Sequence, residues 1–464
     1  MLLASYGFYA GAGAWYLLGV LLLVTALSYG CGMVMGNSAG ERGKGLLLGL
    51  GVVGNLAILI AMKYLPFLAK SLSVAAGVLP SLKNLPEPPL LVSIGVSFFV
   101  FQAIGYLIDV YLEVESPERD ATLFALSLAF FPKLLQGPIE RCGDLAAQFR
   151  EPYRFDYDNI RSGTILFFWG VFKKVVVADR LALFVDAAYE NPHGYAGISL
   201  VMATLFFAFQ LYFDFSGYTD MAIGSARLFN IRLSANFNSP YLATSVSDFW
   251  RRWHMTFSRW VLNYLFRPLQ MRWRELGNLG SALALLVTFA ISGLWHGAEW
   301  GYIVWGCLHG IYMACAIFWK PFQKKIYRRL GIEKSAWLIA WQISTTFALT
   351  CFAWIFFRAG TFENGWYVVT HLWTLPAVPS ASLGDFVQRN LLLGESVWDF
   401  YLALLLLLFM AVLGWYLRRT KKIDLPEHLA GMPTALRWTA YYALMLTIVF
   451  GGMFDNGSFI YYKF

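Results

Sequence analysis

The sequence predicts an all-α polytopic membrane protein, and three observations carry that reading. The chain has 464 residues, of which 58% are hydrophobic and 14% charged. An ordinary soluble domain is about 45–50% apolar and about 25% charged, and no soluble core could hide so much apolar side chain. Ten runs approach the roughly 20 apolar residues that a helix needs to cross a bilayer. The basic residues gather between those runs, as the positive-inside rule expects. The net charge of +8 is therefore read as membrane topology, and a nucleic-acid surface is excluded. The 18 Trp and 25 Tyr suit the bilayer interface, where one end of the ring is apolar and the other wet.

In chain order the expected spans are Trp15–Met35, Leu46–Pro66, Leu90–Tyr111, Thr164–Leu183, Ser199–Phe213, Ser281–Leu294, Tyr302–Trp319, Trp337–Phe357, Trp398–Leu417 and Trp438–Phe454. Three further segments are shorter or interrupted: Ala121–Leu135, Met221–Phe229 and Ser245–Leu262. Broken, polar backbone at membrane depth survives only inside protein or beside a water-filled cavity, so function is expected in those three. Lys320, Lys324, Lys325, Arg328 and Arg329 form one basic cluster, and Arg418, Arg419, Lys421 and Lys422 another. Two expected spans separate them. Both clusters can then be cytoplasmic, with Gly360–Ser396 and the C-terminus outside. No repeat or linker divides the chain, and residues 1–464 read as one membrane domain. The N-terminus lacks the basic region of a cleavable signal peptide. Cys31, Cys142, Cys307, Cys315 and Cys351 contain no CxxC pair; they read as small hydrophobes, with no disulfide framework and no metal site.

Four motifs depart from the apolar norm between Phe130 and Gly310. In Phe131–Arg141, two prolines and a glycine end any helix, and Lys133, Glu140 and Arg141 sit at the break. The plain reading is a loop at the membrane surface. In Phe213–Met221, Asp214 and Asp220 follow an apolar run. An intramembrane carboxylate is a functional candidate by default; the plain alternative is a helix cap or a pair with an arginine such as Arg227. Asn236-Phe-Asn238-Ser-Pro240 is turn chemistry, followed by Ser245 and Asp248 in a capping-box spacing. The helix after it should set Trp250, Trp253, Phe257 and Trp260 on one broad face, away from Arg251, Arg252 and Arg259. Arg251, Arg252, Arg259, Arg267, Arg272 and Arg274 fit either anionic lipid or the phosphates of a nucleotide-like donor, which arginine meets bidentately. Last comes Ser292–Trp300, with His296 between two apolar runs and Gly293 and Gly297 nearby. Histidine is the usual general acid–base near neutral pH, whereas His309, 13 residues on, reads as structural or supporting.

Together these stretches resemble the membrane-bound O-acyltransferase (MBOAT) family, and within it the bacterial polysaccharide branch of alginate O-acetyltransferases and teichoic-acid D-alanyl transfer proteins. The matching segments are Gly95–Tyr111, Phe130–Phe149, Tyr212–Asn238, Phe249–Arg267 and Ser292–Gly310, and the ending Phe459–Phe464 is also similar. The likeness runs from about Leu3 onward. Family members commonly carry a further apolar segment ahead of the stretch matching Leu3–Trp15.

The resemblance implies a ring of about 10–13 transmembrane or re-entrant helices around a central tunnel. It marks two histidines, which fall on His254 and His296. It implies a cytoplasmic acyl thioester donor, acetyl-CoA or another, with no covalently bound cofactor. It also implies a polysaccharide hydroxyl as acceptor and a bacterial cytoplasmic membrane as location. Arg251, Arg252, Trp250 and Trp295 are expected to face the donor, and Asp214, Asp220, Asn236, Asn238 and His309 to shape or support the tunnel. An extracytoplasmic acyltransferase partner is expected, docking at Phe459–Phe464. Three alternatives stay open: D-alanyl transfer from a carrier-protein thioester to teichoic acid, transport of a lipid-linked sugar without catalysis, and a non-catalytic scaffold for an export complex.

Overall fold

A computed structural model describes residues 1–12, 15–37, 40–75, 93–374, 382–420, 425–454 and 459–460. Among these residues the regular structure is helical and there is no strand. In lipid every backbone N–H and C=O must be satisfied within the protein, and a helix does so within its own segment. Among the described residues, seven helical runs are long and apolar enough to cross a membrane: Tyr16–Asn37, Glu41–Ala69, Ile198–Arg227, Arg274–His296, Trp300–Arg329, Ala336–Arg358 and Val397–Arg419.

The chain gathers into two compact units. The first comprises residues 1–159 and 225–234. It holds α1 (Leu2–Gly11), α2 (Tyr16–Asn37), α3 (Glu41–Leu59), α4 (Leu65–Ala75), α5 (Val96–Tyr111), α6 (Ala121–Ala129), α7 (Phe131–Leu134) and α8 (Cys142–Arg150). Helices α2, α3 and α5 pack on one another. Asp120 caps α6, its carboxylate accepting from the N–H of Thr122 at 2.8 Å and of Leu123 at 3.2 Å. The expected span Leu90–Tyr111 is seen as α5, and its first residues lie outside those described. The Phe131–Arg141 motif does break the helix, but it is no surface loop. Lys133 and Gln136 are buried. Lys133 Nζ donates to Gln102 Oε1 at 2.5 Å and to the Leu128 carbonyl at 3.3 Å. Glu140 accepts from the backbone N–H and the hydroxyl of Ser234. The polar groups of this motif tie unit one together from inside.

The second unit comprises residues 160–224 and 235–464. Helices α9 (Tyr157–Val171) and α10 (Asp179–Tyr189) are joined through a π-helical turn, Phe172–Ala178. Then come α11 (Ile198–Arg227), α12 (Val246–Trp250), α13 (Met255–Val261), α14 (Arg267–Arg272), α15 (Gly277–His296), α16 (Trp300–Arg329) and α17 (Ala336–Arg358). The series ends with α18 (Phe362–His371), α19 (Leu383–Asn390), α20 (Val397–Arg419), α21 (Leu425–Ala430) and α22 (Thr434–Gly451). Arg180 ties α10 to α20 and α22: one guanidinium nitrogen meets Asp399 at 2.6 Å and another donates to the Gly451 carbonyl at 2.8 Å.

Three expectations change here. The run ending at Phe213 does not stop, and Met221–Phe229 is not a separate segment. A single 30-residue helix, α11, carries Asp214 and Asp220 in its interior, because both carboxylates find lysine partners and need no helix end. Ser245–Leu262 is not one amphipathic helix; it breaks between α12 and α13 at His254. The Lys320–Arg329 cluster lies on the last turns of α16 and not in a loop, where cations also favour the negative end of the helix dipole. The second cluster keeps Arg418 and Arg419 on α20; Lys421 and Lys422 lie outside the described residues.

Candidate active site

The site is built around His254, whose backbone sits at φ 42°, ψ 55°. This left-handed conformation is uncommon outside glycine, with histidine among the more tolerant residues. It persists because the Asn236–Asn238 turn clamps both sides of the break. The Asn238 N–H donates to the Arg252 carbonyl at 2.9 Å, and the Met255 N–H donates to the Asn236 carbonyl at 2.9 Å. The Asn236 side chain completes the clamp, its Oδ1 accepting from the Thr256 N–H at 3.2 Å and from its hydroxyl at 2.6 Å. Upstream, Ser245 caps α12 by accepting from the Asp248 N–H at 3.2 Å. Asp248 reaches back to the Thr244 N–H, also at 3.2 Å, one residue short of a full capping box.

Held in this way, the His254 ring is wholly buried among aromatic rings. Phe215 of α11 meets it edge-on with centroids 4.7 Å apart, Phe257 lies at 5.0 Å and Trp295 at 6.2 Å. His296 is the last residue of α15 and is also buried. Its ring neighbours are Trp295 at 4.8 Å, Trp305 at 4.9 Å, Phe357 at 5.3 Å and Phe257 at 5.6 Å. Phe257 and Trp295, stacked at 4.4 Å, therefore border both histidines. Two glycines permit this arrangement. A Cβ on Gly306 would lie 2.2 Å from the Phe289 carbonyl, and one on Gly293 would lie 2.2 Å from the Tyr302 carbonyl. Helices α15 and α16 can approach so closely only with hydrogen at these positions.

His309 extends the same aromatic cluster along α16. Its ring lies 5.2 Å from both Trp305 and Trp250, and Trp250 Nε1 donates to its Nδ1 at 3.3 Å. His254, His296, His309, Trp250 and Trp295 are thus brought into one cage. Of the expected donor-side arginines, Arg252 meets Asp248 at 3.0 Å and Arg251 is exposed. The burial of Trp250, Trp253 and Phe257 argues against α12 and α13 lying as an amphipathic pair on lipid.

The carboxylates do not join the cage. Lys174 Nζ lies 2.8 Å from Asp214 and 2.7 Å from Asp179, and all three are buried. Lys173 meets Asp220 at 2.7 Å. These partners come from the π-helical turn, and not from Arg227. The same cluster holds part of the C-terminal segment. The Ile460 N–H donates to Asp214 at 3.1 Å, and Phe459 meets Tyr218 edge-on at 5.1 Å. Asn236 is the clamp described above, whereas the Asn238 side chain is exposed. Sequence reasoning missed Lys173, Lys174, Trp305 and Phe357. Two adjacent lysines inside the apolar run Thr164–Leu183 were the available signal for the first pair, since buried cations require partners.

Comparison with known proteins agrees with this architecture. Residues 123–354 match the family model described as MBOAT, membrane-bound O-acyltransferase family. The peptidoglycan O-acetyltransferase of Helicobacter pylori is 34% identical over 423 residues, covering 84% of this chain and 77% of that protein. The Azotobacter vinelandii protein named "Probable alginate O-acetylase AlgI" is 35% identical over 421 residues, covering 86% and 78%. The teichoic acid D-alanyltransferase of Bacillus subtilis is 27% identical over 294 residues, covering 60% and 72%. With the family model spanning half of the sequence and such relatives aligned over most of it, the chain belongs to the membrane-bound O-acyltransferase family and is a multi-pass membrane O-acyltransferase.

Proposed function

We propose that this enzyme moves an acetyl group from a cytoplasmic thioester to a hydroxyl of an exported or cell-surface polysaccharide, directly or through an extracytoplasmic transferase. The observation that carries the reading is the pair of buried histidines, His254 and His296, bordered by the same two rings. A hydroxyl is a poor nucleophile toward a thioester until a base takes its proton. We assign that role to His296, worth about 10²–10⁴ in rate. The hydroxyl oxygen attacks the carbonyl carbon while its proton passes to His296. The C–S bond then breaks, and the thiolate leaves with that proton. His254, fixed by the Asn236 clamp, orients the donor. The aromatic walls limit hydrolysis by keeping water away. Arg251 is assigned to the donor's phosphates, with Arg252 beside it.

The acetylating relatives support acetyl over D-alanyl, since they match more of the chain at higher identity than the D-alanyltransferase does. Phe459 and Ile460 pack on the chain's own α11, so the docking role falls to Tyr461–Phe464, which lie outside the described residues. The test is purified protein with radiolabelled acetyl-CoA and a polysaccharide acceptor, comparing wild type with His296→Ala. Label transfer that disappears in the variant is the expected result; undiminished transfer would remove His296 from the chemistry. Removing Tyr461–Phe464 should spare donor turnover and abolish polymer modification, and loss of both would reject the docking assignment.

A further inference from the structure

Beside His296 stands a set of polar groups that the mechanism above leaves unused. Trp305, His309 and Trp354 are each wholly buried. Trp305 Nε1, His309 Nε2 and Trp354 Nε1 find no hydrogen-bond partner among the described residues. The three rings form one cluster. Trp305 stacks on Trp354 with centroids 5.5 Å apart and planes at 17°, and His309 lies 5.2 Å from Trp305 and 6.4 Å from Trp354. Trp305 also meets His296 edge-on, at 4.9 Å and 89°.

All three unused atoms are donors. An indole nitrogen only donates. His309 accepts at Nδ1 from Trp250 Nε1, so its neutral ring carries the hydrogen on Nε2. Burying one such N–H without an acceptor costs about 1–3 kcal/mol, and buried indoles ordinarily find a partner. Three in one cluster therefore call for an occupant that accepts. It must be small, because all three rings are wholly buried, and rich in lone pairs, because the three unpartnered atoms are donors. A carbonyl oxygen fits, and the oxyanion that develops when a thioester is attacked fits better.

We infer that Trp305, His309 and Trp354 form an N–H donor pocket that takes the carbonyl oxygen of the acyl thioester and holds the negative charge it gains during transfer. The inference rests on His296 being the base. As the acceptor oxygen bonds to the carbonyl carbon and its proton goes to His296, the carbonyl π pair moves onto oxygen. The N–H of Trp305, whose ring meets the His296 ring edge-on, donates to that oxygen. The pair then returns, the C–S bond breaks, and the departing thiolate takes the proton from His296. Such donors act because they are in place before the charge appears.

The experiment replaces Trp305 with 3-benzothienylalanine, which keeps the ring shape and puts sulfur where the N–H was. A matching variant at Trp354 guards against failure of the first to fold. Two readouts are taken. One is the isotope-edited infrared stretch of S-[1-13C]acetylpantetheine added at saturation with no acceptor present. The other is kcat and KM for acetyl-CoA. We expect the carbonyl stretch to lie lower on wild type than in an apolar solvent and to move back up in the Trp305 variant. We also expect kcat to fall about 10²–10³-fold with KM little changed, as for loss of one oxyanion donor. No lowered stretch on wild type overturns the pocket. So does an equal stretch in both proteins, which is the result a structural water on these donors would give. Undiminished turnover in His296→Ala alongside a lowered stretch would remove the base assignment and leave the pocket standing.

Discussion

Replacing Asn236 with alanine tests whether the turn ahead of α12 positions His254. The change removes the acceptor for two buried donors, the Thr256 N–H at 3.2 Å and its hydroxyl at 2.6 Å. A buried donor left unsatisfied costs about 1–3 kcal/mol, so the two together cost about 2–6 kcal/mol. Part of this returns, because Asn236 Nδ2 is itself buried without a partner and disappears with the side chain. The expected net loss is about 1–4 kcal/mol. The functional loss should be larger than the stability loss suggests. The backbone hydrogen bond from Met255 to the Asn236 carbonyl survives, but the left-handed His254 loses half its clamp, and a misplaced catalytic ring can lower kcat about 10²-fold. The assay pairs thermal unfolding in detergent with acetyl transfer, in a cycle of Asn236→Ala, Thr256→Val and the double variant. Residues that act through one bond give effects that do not add. If the two losses are additive to within about 0.5 kcal/mol, or if Asn236→Ala keeps wild-type kcat, the clamp argument is wrong.

Three further outcomes follow from other parts of the molecule. Gly306→Val should force α15 from α16, because its Cβ would fall 2.2 Å from the Phe289 carbonyl, whereas Gly414→Ala meets only an Arg418 side-chain atom at 3.6 Å and should be silent; thermal unfolding of both separates helix approach from a general effect of the substitution. Lys174→Met should destabilise by about 3–5 kcal/mol, since it leaves Asp214 and Asp179 buried without their cation, and adding Asp214→Asn should recover part of the lost unfolding temperature. Burial pushes the Glu140 carboxyl above its ordinary pKa, against the lowering effect of the Ser234 hydrogen bonds. The native state therefore holds that proton more tightly than the unfolded chain, so the contribution is full below about pH 4.5 and declines as pH rises through the raised value. Glu140→Gln, which keeps a carbonyl acceptor for Ser234, should flatten this decline in the unfolding temperature.

The fold class was legible because lipid leaves so few solutions. Apolar runs of the right length must be helices, and basic residues report their ends. What could not be read was where a polar residue ends a helix and where it does not. Asp214 and Asp220 look like breaks in a one-dimensional pattern. They lie within α11 because Lys174, 40 positions before Asp214, and Lys173, 47 positions before Asp220, reach them across the packing. The opposite error occurred at His254. Its aromatic periodicity is that of a continuous helix, yet the backbone turns left-handed there, held by hydrogen bonds to Asn236 and Asn238. Local pattern cannot register either effect, since both depend on partners distant in sequence. His254 and His296, which both lie in the aromatic cage, were singled out from the motifs that carry the resemblance. Trp305 and Phe357 were not, because an aromatic residue in an apolar run carries no mark of which ring it will face.

The two kinds of buried polar group in unit two are handled in opposite ways, and the contrast separates support from chemistry. Charged groups inside or at the edge of the unit are paired: Lys174 with Asp214 and Asp179, Lys173 with Asp220, and Arg180 with Asp399. Those clusters lock α9, α10, α11 and α20 and leave little capacity for a ligand. The His296 ring is instead surrounded by Trp295, Trp305, Phe257 and Phe357. An aromatic wall lowers the local dielectric, so each remaining N–H acts more strongly on a charge that appears during reaction than it would in water. A carboxylate placed there would oppose an oxyanion, and a paired cation would already be spent on its partner. Neutral ring donors avoid both problems. They can stay uncompensated in the resting protein at moderate cost and gain their full interaction when the carbonyl oxygen becomes negative, which is the difference between ground and transition state that catalysis requires.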